Sequence, residues 1–322
     1  MIALNEIVKV VNLKKYFEIY DVKSKEKKYV KAVDGISFTI NVGETLGLVG
    51  ESGSGKTTTG KMILNLMKPT SGDIFLEGKS IKNLNKKEMR SLRKDIQVVF
   101  QNPYAALDPK MTIRDILIEP LSIHKIVSKY EYNNEVKRLL NMVGLSEKDM
   151  NKFPYEFSGG QRQRIGIAKA IAVKPKFIIC DEPVSALDVS VQSQILNLLC
   201  ELQRDLKISY LFIAHGLSVI RHVSDKVAIM YLGNIVEYGD AKSVFDYGAH
   251  PYTKALISSA PIPDPKRKNN GIILKGEVPS PINIPEGCPF HPRCKDAIEI
   301  CKNKKPFLRK IKEDHMAACH LI

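Results

Sequence analysis

The sequence predicts an α/β protein with a mostly parallel sheet, because strand patterns and helix patterns alternate along most of its length. Short apolar runs at 44–49, 96–100, 177–182 and 210–214 are typical of strands buried on both faces. A glycine-rich loop follows the first run and leads into a helix pattern. No strand pattern occurs from about 103 to 157, which indicates an all-helical insertion in the α/β frame.

Composition limits the classes of protein to which the chain can belong. Its 322 residues suit one large domain and a smaller one, and 44% hydrophobic residues are enough for a substantial core. The 49 Lys and Arg against 35 Asp and Glu give a net charge of +14, which favours an anionic partner such as a nucleotide, a nucleic acid or a membrane surface. A basic, solvated surface explains the charge equally well.

Neither export nor membrane insertion is indicated. The segment Met1–Val10 carries an acid and lacks the long apolar core of a secretory signal. No run approaches about 18 apolar residues, so we expect no membrane span. We therefore expect a cytoplasmic protein, in which the six cysteines are not structural disulfides.

Residues 1–42 are predicted to form a small antiparallel sheet with a charged loop at Ser24–Lys28. Its strands are Val8–Leu13, Val30–Val33 and Ile36–Ile40. Several aromatic side chains precede the glycine-rich loop, namely Tyr16, Phe17 and Tyr29. One of them can stack on an adenine face, and we take Tyr16 as the candidate, although packing is the more usual role of an aromatic residue.

The glycine-rich loop carries the strongest chemical signal. Glu44–Val49 is predicted as a strand, Gly50–Thr57 matches G-x-x-x-x-G-K-[ST], and Thr58–Met67 is predicted as a helix. Glycines allow consecutive backbone N–H groups to point at an anion, and the helix N-terminus adds partial positive charge there. Lys56 can reach the β- and γ-phosphates, and Thr57 can hold Mg²⁺. The pattern predicts that the chain binds a nucleoside triphosphate.

The remaining elements of the α/β frame continue the alternation. Further strands are predicted at Asp73–Leu76, Ile96–Phe100, Phe177–Glu182, Tyr210–Ala214, Val227–Tyr231 and Ile235–Glu237. Further helices are predicted at Thr112–Leu121, Glu131–Val143, Ser158–Val173 and Val191–Arg204, with a loop at Asn102–Pro109.

Polar side chains lie just past the ends of these strands, namely Lys56, Gln101, Asp181, Glu182 and His215. Ligands of parallel sheets bind at the carboxyl ends of strands, so we expect these residues at the site. Asp181 can hold Mg²⁺, and Glu182 can polarise an attacking water. An acid pair also occurs at helix N-caps, but the upstream phosphate loop favours the catalytic interpretation.

From about residue 241 the composition becomes proline-rich, which predicts an appended, irregular module outside the sheet, with an exposed loop at Lys266–Asn270. Four cysteines lie in this tail: Cys288, Cys294, Cys301 and Cys319. A module this small usually needs a covalent or metal staple, and four thiolates can bind Zn²⁺ or a [4Fe–4S] cluster. Free thiols and disulfides stay open as alternatives, as do further ligands among His291, His315 and His320.

Phe157–Gln161 resembles the signature motif of ABC-transporter ATPases. The family's other motifs surround it in the family order: the phosphate-binding loop (P-loop), Gln101 as the Q-loop, Asp181-Glu182 as Walker B, Ser185–Asp188 as the D-loop and His215 as the switch histidine. Phe157 and Gly216 depart from the commonest residues of the family, which are Leu and Asp at these positions. These departures affect only the expected geometry of the local loops.

The resemblance implies a P-loop ABC-type ATPase core with an N-terminal antiparallel β-subdomain, a helical signature subdomain at about 103–172, and a small irregular C-terminal cysteine-containing module. The implied domains are 1–240 and 241–322. It also implies a head-to-tail pair of subunits, in which the signature motif of one acts on the ATP bound to the P-loop of the other.

The resemblance assigns roles to individual residues. Catalytic roles fall to Glu182, His215 and Gln101, and Mg²⁺ binding falls to Thr57, Gln101 and Asp181. Nucleotide contacts are implied for Gly50, Glu51, Ser52, Gly53, Ser54, Gly55, Lys56, Thr57, Thr58, Ser158, Gly159, Gly160 and Gln161.

Further motifs resemble the oligopeptide/dipeptide importer branch: Gln101–Pro103, Ala106–Pro109, Met111–Ile113, Cys180–Asp188, His250–Thr253, Ala260–Pro265 and Gly276–Pro281. They imply an ATP-hydrolysing subunit at the cytoplasmic face of the membrane that energises import of oligopeptides or dipeptides. Nickel or another small solute is an alternative. A soluble ABC ATPase acting on ribosomes or nucleic acid is disfavoured by the single cassette and the short insertion.

The same branch implies partners and a second cofactor. The partners are two transmembrane permease subunits, a second ABC ATPase subunit (this chain again or a related one) and, indirectly, an extracytoplasmic peptide-binding protein, with no nucleic acid. The tail holds an iron–sulfur cluster in some members of the branch. The resemblance therefore favours [4Fe–4S] over Zn²⁺ at the four tail cysteines.

Overall fold

The computed structural model describes residues 5–21, 25–259, 272, 274 and 276–322. The chain divides into two compact units, one formed by Met1–Lys82 with Phe212–Ile322 and the other by Asn83–Leu211. The strands of the described ranges are β1 Glu6–Asp21, β2 Glu26–Asn41, β3 Thr45–Val49, β4 Ser71–Leu76, β5 Lys79–Ser80, β6 Ile96–Val99, β7 Phe177–Asp181, β8 Ser209–Ala214, β9 Lys226–Tyr231, β10 Asn234–Asp240, β11 Arg309–Lys312 and β12 His315–Ala317.

The helices of the same ranges are α1 Lys56–Ile63, α2 Lys86–Asp95, α3 Pro103–Ala106, α4 Ile113–Ile123, α5 Tyr132–Met142, α6 Gly159–Ile171, α7 Val189–Leu206, α8 Leu217–Val223, α9 Ala241–Tyr247, α10 Pro251–Ser259 and α11 Glu299–Asn303. Short 3-10 helices occur at Lys129–Glu131, Glu147–Asn151, Pro154–Glu156 and His291–Arg293. The predicted tail motif Ala260–Pro265 and the predicted loop Lys266–Asn270 lie outside the described residues.

The first unit contains the predicted N-terminal antiparallel sheet, with the strand order β2-β1-β4-β5. The separate strands predicted at Val30–Val33 and Ile36–Ile40 are wrong, because β2 is continuous. Gly35, at φ +82°, lies at a shift in register and not in a turn, so the strand resumes on both sides. The predicted loop Ser24–Lys28 is strand from Glu26 onward, and Ser24 itself is not among the described residues.

A second group of strands in this unit lies in the order β11-β12-β10-β9-β3. β3 and β9 pair in parallel, and the other neighbours pair antiparallel. The prediction that the tail is irregular and outside the sheet is therefore wrong, since β12 pairs with β10 and helices α9 and α10 follow residue 240 directly. A strand of three residues leaves too short a pattern to recognise, yet it covers the edge of β10.

A buried polar network fixes this tail strand to the unit. The Glu237 side chain on β10 is fully buried and accepts hydrogen bonds from the backbone N–H groups of Ala249 and His250, both at 2.8 Å. His315 Nε2 on β12 lies 2.6 Å from Glu237 Oε1, and His315 Nδ1 lies 3.0 Å from Ser243 Oγ. A buried carboxylate is tolerated only with such partners, so the network ties β12, α9 and the start of α10 to β10.

The second unit contains the predicted helical insertion. Residues 103–157 contain helices α3 to α5 and no strand, which confirms this prediction, although α3 occupies part of the predicted loop Asn102–Pro109. Helix α6 packs against α4, α5 and α7, and β6 pairs in parallel with β7. The interhelical core consists of side chains that are at most 1% exposed, namely Ile113, Ile116, Leu117, Val136, Leu139, Leu140, Ile165 and Ala168.

In the ranges that the structure describes, no helix combines the length and the apolar character needed to cross a membrane. The longest described helix, α7, has 18 residues and carries its buried side chains on one face, at Ile195, Leu196, Leu198, Leu199 and Leu202. Such a one-sided pattern is typical of a helix that packs on a core.

Burial of His250 predicts a pH dependence of stability. Its ring is 1% exposed, and Nδ1 accepts a hydrogen bond from the Tyr252 N–H at 3.1 Å, so the side chain caps α10. Burial lowers the pKa of His250 to about 3, against about 6.5 for an unfolded histidine. Below about pH 6.5, His250 is therefore protonated in the unfolded chain but stays neutral in the folded chain. As a result, the free energy of unfolding falls as the pH falls.

The variant His250→Asn keeps a capping side chain and removes this titration. Between pH 7.5 and 5.5 we expect the parent to lose about 1.4 kcal/mol of unfolding free energy more than the variant does, as measured by urea unfolding. Parallel pH profiles for the two proteins would contradict the assignment.

Candidate functional site

The predicted phosphate-binding loop connects β3 to α1 in the first unit. All five residues of β3 are buried, so the loop leaves the core from a fixed strand end at Val49. Helix α1 begins at Lys56, and Gly55 is its N-cap in the left-handed conformation, with φ +104°. The helix ends at Ile63, before the predicted Met67, because Asn65 adopts a left-handed conformation at φ +53° that terminates the helix.

Two glycines of this loop are required by close approach of other backbone segments. A Cβ atom on Gly50 would lie 2.2 Å from the carbonyl oxygen of Met230 on β9. A Cβ atom on Gly55 would lie 2.2 Å from the carbonyl oxygen of Ala32 on β2. Any larger residue at either position would therefore displace the loop backbone, which supplies the N–H groups for an anion.

Lys56 lies inside the loop and is only 4% exposed. Its Nζ atom donates to the carbonyl oxygens of Gly50 at 2.7 Å and Glu51 at 2.9 Å, and lies 3.4 Å from Ser54 Oγ. Phosphate oxygens are stronger acceptors for an ammonium group than neutral carbonyl oxygens are. The lysine is therefore placed to exchange its loop partners for an anionic ligand. The other predicted contacts, Ser52, Gly53, Thr57 and Thr58, lie in the same loop and the first turn of α1.

Two tail residues contact this loop, and sequence reasoning missed both. The backbone N–H of Glu51 donates to the Tyr252 hydroxyl at 2.9 Å. The Glu51 carboxylate accepts from Arg293 through Nη1 at 2.7 Å and Nη2 at 3.1 Å. Tyr252 lies 201 residues from Glu51 in the chain, and Arg293 lies 242 residues from it. No motif or spacing could have predicted contacts between residues so far apart.

Tyr16, the predicted adenine-stacking residue, is half-buried on β1. Its hydroxyl donates to the Asp34 carboxylate, and Lys31 Nζ lies 5.9 Å from the centroid of its ring. Burial, together with the nearby Asp34 carboxylate, raises the pKa of the Tyr16 hydroxyl above its usual range. These contacts fix the ring on the sheet, and its role in adenine binding stays a prediction.

In the second unit, the structure brings together two of the predicted catalytic residues. The Gln101 side-chain amide, just past β6, donates through Nε2 to Glu182 Oε2 at 2.9 Å. Glu182 is 8% exposed and has φ +51°, which is uncommon for a residue other than glycine. The Ser185 N–H and hydroxyl both donate to the Glu182 carbonyl oxygen, at 3.3 and 3.1 Å, which holds this conformation. No residue pattern indicates the unusual φ.

Asp181 and His215 both lie where the sequence predicted, at the carboxyl ends of strands. Asp181 is the last residue of β7 and is half-buried. His215 follows β8 directly, and its side chain is exposed. Their roles towards a nucleotide stay predictions.

The predicted signature motif forms the start of α6. Ser158 is the N-cap, and its Oγ accepts from the Gln161 N–H at 3.3 Å while Gln161 Oε1 accepts from the Ser158 N–H at 3.0 Å. Both side chains are exposed, so this capped helix end is open to solvent within its unit. A Cβ atom on Gly160 would lie 2.4 Å from Val191 Cγ1 on α7, so a larger residue here would have to displace the Val191 side chain.

Arg162 links the signature helix to the segment that follows Gln101. Its side chain is 7% exposed, and its Nε atom donates to the Pro154 carbonyl at 2.6 Å. The guanidinium carbon lies 4.0 Å from the centroid of the Tyr104 ring on α3, within the range of a cation–π interaction. The signature helix and the Q-loop segment are thus in direct contact inside the second unit.

The four tail cysteines are free thiols. The Cys288 N–H donates to the Cys301 carbonyl at 2.8 Å, and burial, with smaller contributions from the other three thiols, raises the pKa of Cys288 to about 11. Across the described residues, no group of three or more His, Cys, Asp or Glu side chains is arranged to hold a metal ion. The cysteines as placed do not fit a cluster or zinc, and the predicted [4Fe–4S] or Zn²⁺ site gains no support here.

The arrangement of residues in the loop at 50–57 suits the binding of an anion. The buried strand β3 is followed by a loop that needs glycine at two positions, and helix α1 begins where this loop ends. The buried side chain of Lys56 lies inside the loop. Backbone N–H groups, a helix N-terminus and an ammonium group together form a site for a polyphosphate. The fold and the site therefore define a P-loop nucleotide-binding protein.

Comparison with known families and proteins takes the assignment further. The family described as "ABC transporter" matches residues 33–185, and the family described as "Oligopeptide/dipeptide transporter, C-terminal region" matches residues 236–301. The oligopeptide transport ATP-binding protein AppF of Bacillus subtilis (strain 168) is 49% identical over 327 residues, covering 100% of this chain and 99% of that protein. The oligopeptide transport ATP-binding protein OppF of Escherichia coli (strain K12) is 48% identical over 308 residues, covering 94% of this chain and 92% of that protein.

Solved structures agree with these sequence relatives. The protein cbiO1 from Clostridium perfringens, described as part of the ABC transporter complex cbiONQ, superposes with a TM-score of 0.65 at 28% identity, covering 76% of this chain and 92% of that one. A dimeric ATP-binding cassette in a post-hydrolysis state with ADP and Pi gives a TM-score of 0.64 at 28% identity, covering 73% of this chain and 98% of that one. The chain belongs to the ABC transporter family, in the branch that carries the oligopeptide/dipeptide transporter C-terminal region.

The close approach of the Met230 carbonyl oxygen predicts that position 50 does not tolerate any residue larger than glycine. Gly50→Ala should weaken binding of ATP by at least about tenfold, because the new methyl group must displace the loop from the β9 carbonyl. Gly166→Ala is the matched control, since nothing lies within 4 Å of its Cβ position in α6 and alanine favours a helix. Equal affinities of the two variants, measured by fluorescent-nucleotide titration, would contradict the role of Gly50.

Proposed function

We propose that this chain is the ATP-binding and ATP-hydrolysing subunit of an ABC importer for oligopeptides or dipeptides. The observation that carries the proposal is similarity along the whole chain to oligopeptide transport ATP-binding proteins, at 49% identity for one of them. The loop at 50–57 supports nucleotide binding, and the acid pair at 181–182 supports hydrolysis. The functional division into an ATPase domain at 1–240, with a helical subdomain at about 103–172, and a tail domain at 241–322 belongs to the same proposal.

ATP is the substrate in this proposal, and the P-loop binds its phosphates. Lys56 leaves the carbonyl oxygens of Gly50 and Glu51 for the β- and γ-phosphates, while the loop N–H groups accommodate the remaining oxygens. Tyr16 is proposed to stack on the adenine, which gives affinity for the base with little specificity for its hydrogen-bonding edge.

Glu182 is the proposed general base, because its carboxylate can accept the hydrogen bond of an attacking water and orient it. The 2.9 Å hydrogen bond from Gln101 helps to orient the Glu182 carboxylate, which reduces the entropic cost of positioning it for hydrolysis. His215 is proposed to contact the γ-phosphate, whose charge changes most during phosphoryl transfer.

Mg²⁺ belongs to the proposed reaction, and Thr57, Gln101 and Asp181 are proposed to hold it. They offer hydroxyl, amide and carboxylate oxygens, which are the hard donors that Mg²⁺ prefers. When bound, the ion neutralises charge on the β- and γ-phosphates.

The exposed cap of α6 is proposed to act on a second subunit's nucleotide. Ser158, Gly159, Gly160 and Gln161 offer backbone N–H groups and a helix N-terminus, which suit a γ-phosphate. Binding of ATP then favours the closed pair of subunits, and hydrolysis allows the pair to open. This change is a population shift driven by the γ-phosphate. The second subunit is either this chain again or a related ATPase.

The proposed assembly contains two transmembrane permease subunits, so the chain lies peripherally at the cytoplasmic face of the membrane. An extracytoplasmic binding protein delivers the solute, and nucleic acid is not a partner. Direct contact between α6 and the Q-loop segment, through Arg162 and Tyr104, supports transmission from the nucleotide to the permeases. The transport names of the relatives favour this role over one on ribosomes or nucleic acid.

Uptake measurements distinguish peptides from the alternative solutes. Cells that lack this chain should fail to accumulate labelled di- and oligopeptides and should regain uptake on complementation. If complementation restores nickel uptake and leaves peptide uptake unchanged, the ATPase role survives and the peptide assignment is wrong.

The acid at position 182 provides a direct test of hydrolysis. Glu182→Gln should lower the ATPase rate by at least about 100-fold while ATP binding survives, because the amide keeps the shape of the side chain but cannot accept a proton. It should also abolish peptide uptake in complemented cells. Glu201→Gln, on the exposed face of α7, is the matched control and should retain activity. An ATPase rate of Glu182→Gln within about threefold of the parent would contradict the role of Glu182.

A [4Fe–4S] cluster at Cys288, Cys294, Cys301 and Cys319, with zinc as the alternative, stays a prediction from the family. It rests on the family resemblance alone, because the described arrangement of the four thiols does not fit a metal ion. Protein purified without oxygen should contain about four iron atoms per chain and absorb near roughly 400 nm. Cys288→Ser should remove both signals, with Cys180→Ser in the buried strand β7 as a control. Protein without iron under these conditions would exclude the cluster, and stoichiometric zinc would favour the alternative.

A further inference from the structure

Glu51, the second residue of the phosphate-binding loop, is held by three independent contacts. Its N–H donates to the Tyr252 hydroxyl at 2.9 Å, and its carbonyl oxygen accepts from Lys56 Nζ at 2.9 Å. Its carboxylate forms a two-pronged ion pair with Arg293, at 2.7 and 3.1 Å. Two of these contacts come from the tail, which motif analysis separates from the nucleotide site.

Arg293 is rigidly placed to make this pair. Its side chain is 7% exposed, and its guanidinium group lies 5.9 Å from the Tyr231 ring centroid and 3.5 Å from the Tyr231 hydroxyl. Phe290 packs against Tyr231 and Tyr252, with centroid distances of 5.3 and 5.4 Å. Both terminal nitrogens of the guanidinium therefore face Glu51 without further loss of side-chain freedom.

The carboxylate of Glu51 poses an electrostatic problem for the loop. The loop attracts a polyphosphate through N–H groups, a helix N-terminus and Lys56, and an unpaired negative charge beside them opposes that attraction. A bidentate pair with arginine cancels this charge and fixes the direction of the carboxylate. Because the pair is partly buried, solvent screens it less than it screens an exposed pair.

We propose that Arg293 is a positioning residue for nucleotide binding, which acts by neutralising the Glu51 carboxylate and holding it in place. The inference rests on the proposed function, since it requires that the loop bind ATP. It makes the tail a part of the nucleotide-binding apparatus, in addition to any role in the transporter assembly. A tail that serves only as a structural attachment would need no charged contact with the phosphate loop.

The test compares ATP affinities of the full-length chain and its variants by titration with a fluorescent nucleotide. Arg293→Ala should weaken ATP binding about tenfold, and should weaken ADP binding less, because ADP carries less negative charge near the loop. Adding Glu51→Gln to Arg293→Ala removes the exposed negative charge. The double variant should therefore recover ATP affinity to within about threefold of the parent.

Two further variants show whether a loss of ATP affinity is specific to the pair between Arg293 and Glu51. Lys302→Ala breaks an exposed tail ion pair with Glu299 and should leave ATP affinity unchanged. Arg293→Lys keeps the charge but loses the two-pronged geometry, so we expect about a threefold loss of affinity. If Arg293→Ala does not fold, as judged by thermal unfolding, Arg293→Gln with and without Glu51→Gln carries the same comparison, because glutamine also removes the positive charge and keeps a long polar side chain.

The outcomes separate this inference from the proposed function. A parent chain that does not bind ATP would overturn both. A parent that binds ATP, with Arg293→Ala binding equally well, would overturn the inference alone. A loss in Arg293→Ala that the second substitution does not restore would also overturn it, because the loss would then come from tail packing and not from the Glu51 charge.

Discussion

The turn of the backbone between β3 and α1 is the constraint on which the first unit depends. A loop that directs its N–H groups at an anion cannot use them in a sheet, so other segments must hold the loop in place. Here the carbonyl oxygens of Met230 and Ala32 lie only 2.2 Å from the positions that Cβ atoms on Gly50 and Gly55 would take, so the backbone of two other strands packs closely against the loop. The neighbouring strands are therefore parts of the phosphate site as much as of the core.

The second unit likewise contains a residue with a proposed catalytic role whose conformation depends on its neighbours. Glu182 takes an uncommon φ of +51° that Ser185 stabilises, and Gln101 fixes its carboxylate. Conformations of this kind persist only where surrounding contacts determine them, and they occur often at functional sites. The buried Arg162 of the signature helix also contacts the ring of Tyr104, which follows Gln101 in the chain.

Much of this arrangement was predictable from the sequence, because the relevant signals are local. The G-x-x-x-x-G-K-[ST] pattern located the loop, and apolar runs located β3, β6, β7 and β8 with Gln101, Asp181 and His215 at their ends. The helical insertion followed from the absence of a strand pattern between 103 and 157. Local patterns work here because buried parallel strands and amphipathic helices each impose a period on a short stretch of chain.

The errors fall where the determining contacts are distant in sequence. The continuity of β2 through Gly35 depends on pairing with β1, and the short strand β12 exists because β10 offers an edge and Glu237 a buried acceptor for His315. The partners of Glu51 were invisible for the same reason, since no period or motif relates a loop to side chains hundreds of residues away. Composition alone made the tail resemble an appendage, whereas its burial depends on the tertiary fold.

The ion pair between Glu51 and Arg293 also limits which segments of this chain can be exchanged with those of related proteins. The two residues lie 242 positions apart, one in the ATPase region and one in the tail, so an exchange of tails between relatives would separate them. A hybrid that inherits the acid without the arginine would carry an uncompensated charge in its phosphate loop, even if both halves fold. A join near residue 240 is therefore a poor choice when parts of different proteins are combined, and chimeric chains need matched residues at both positions.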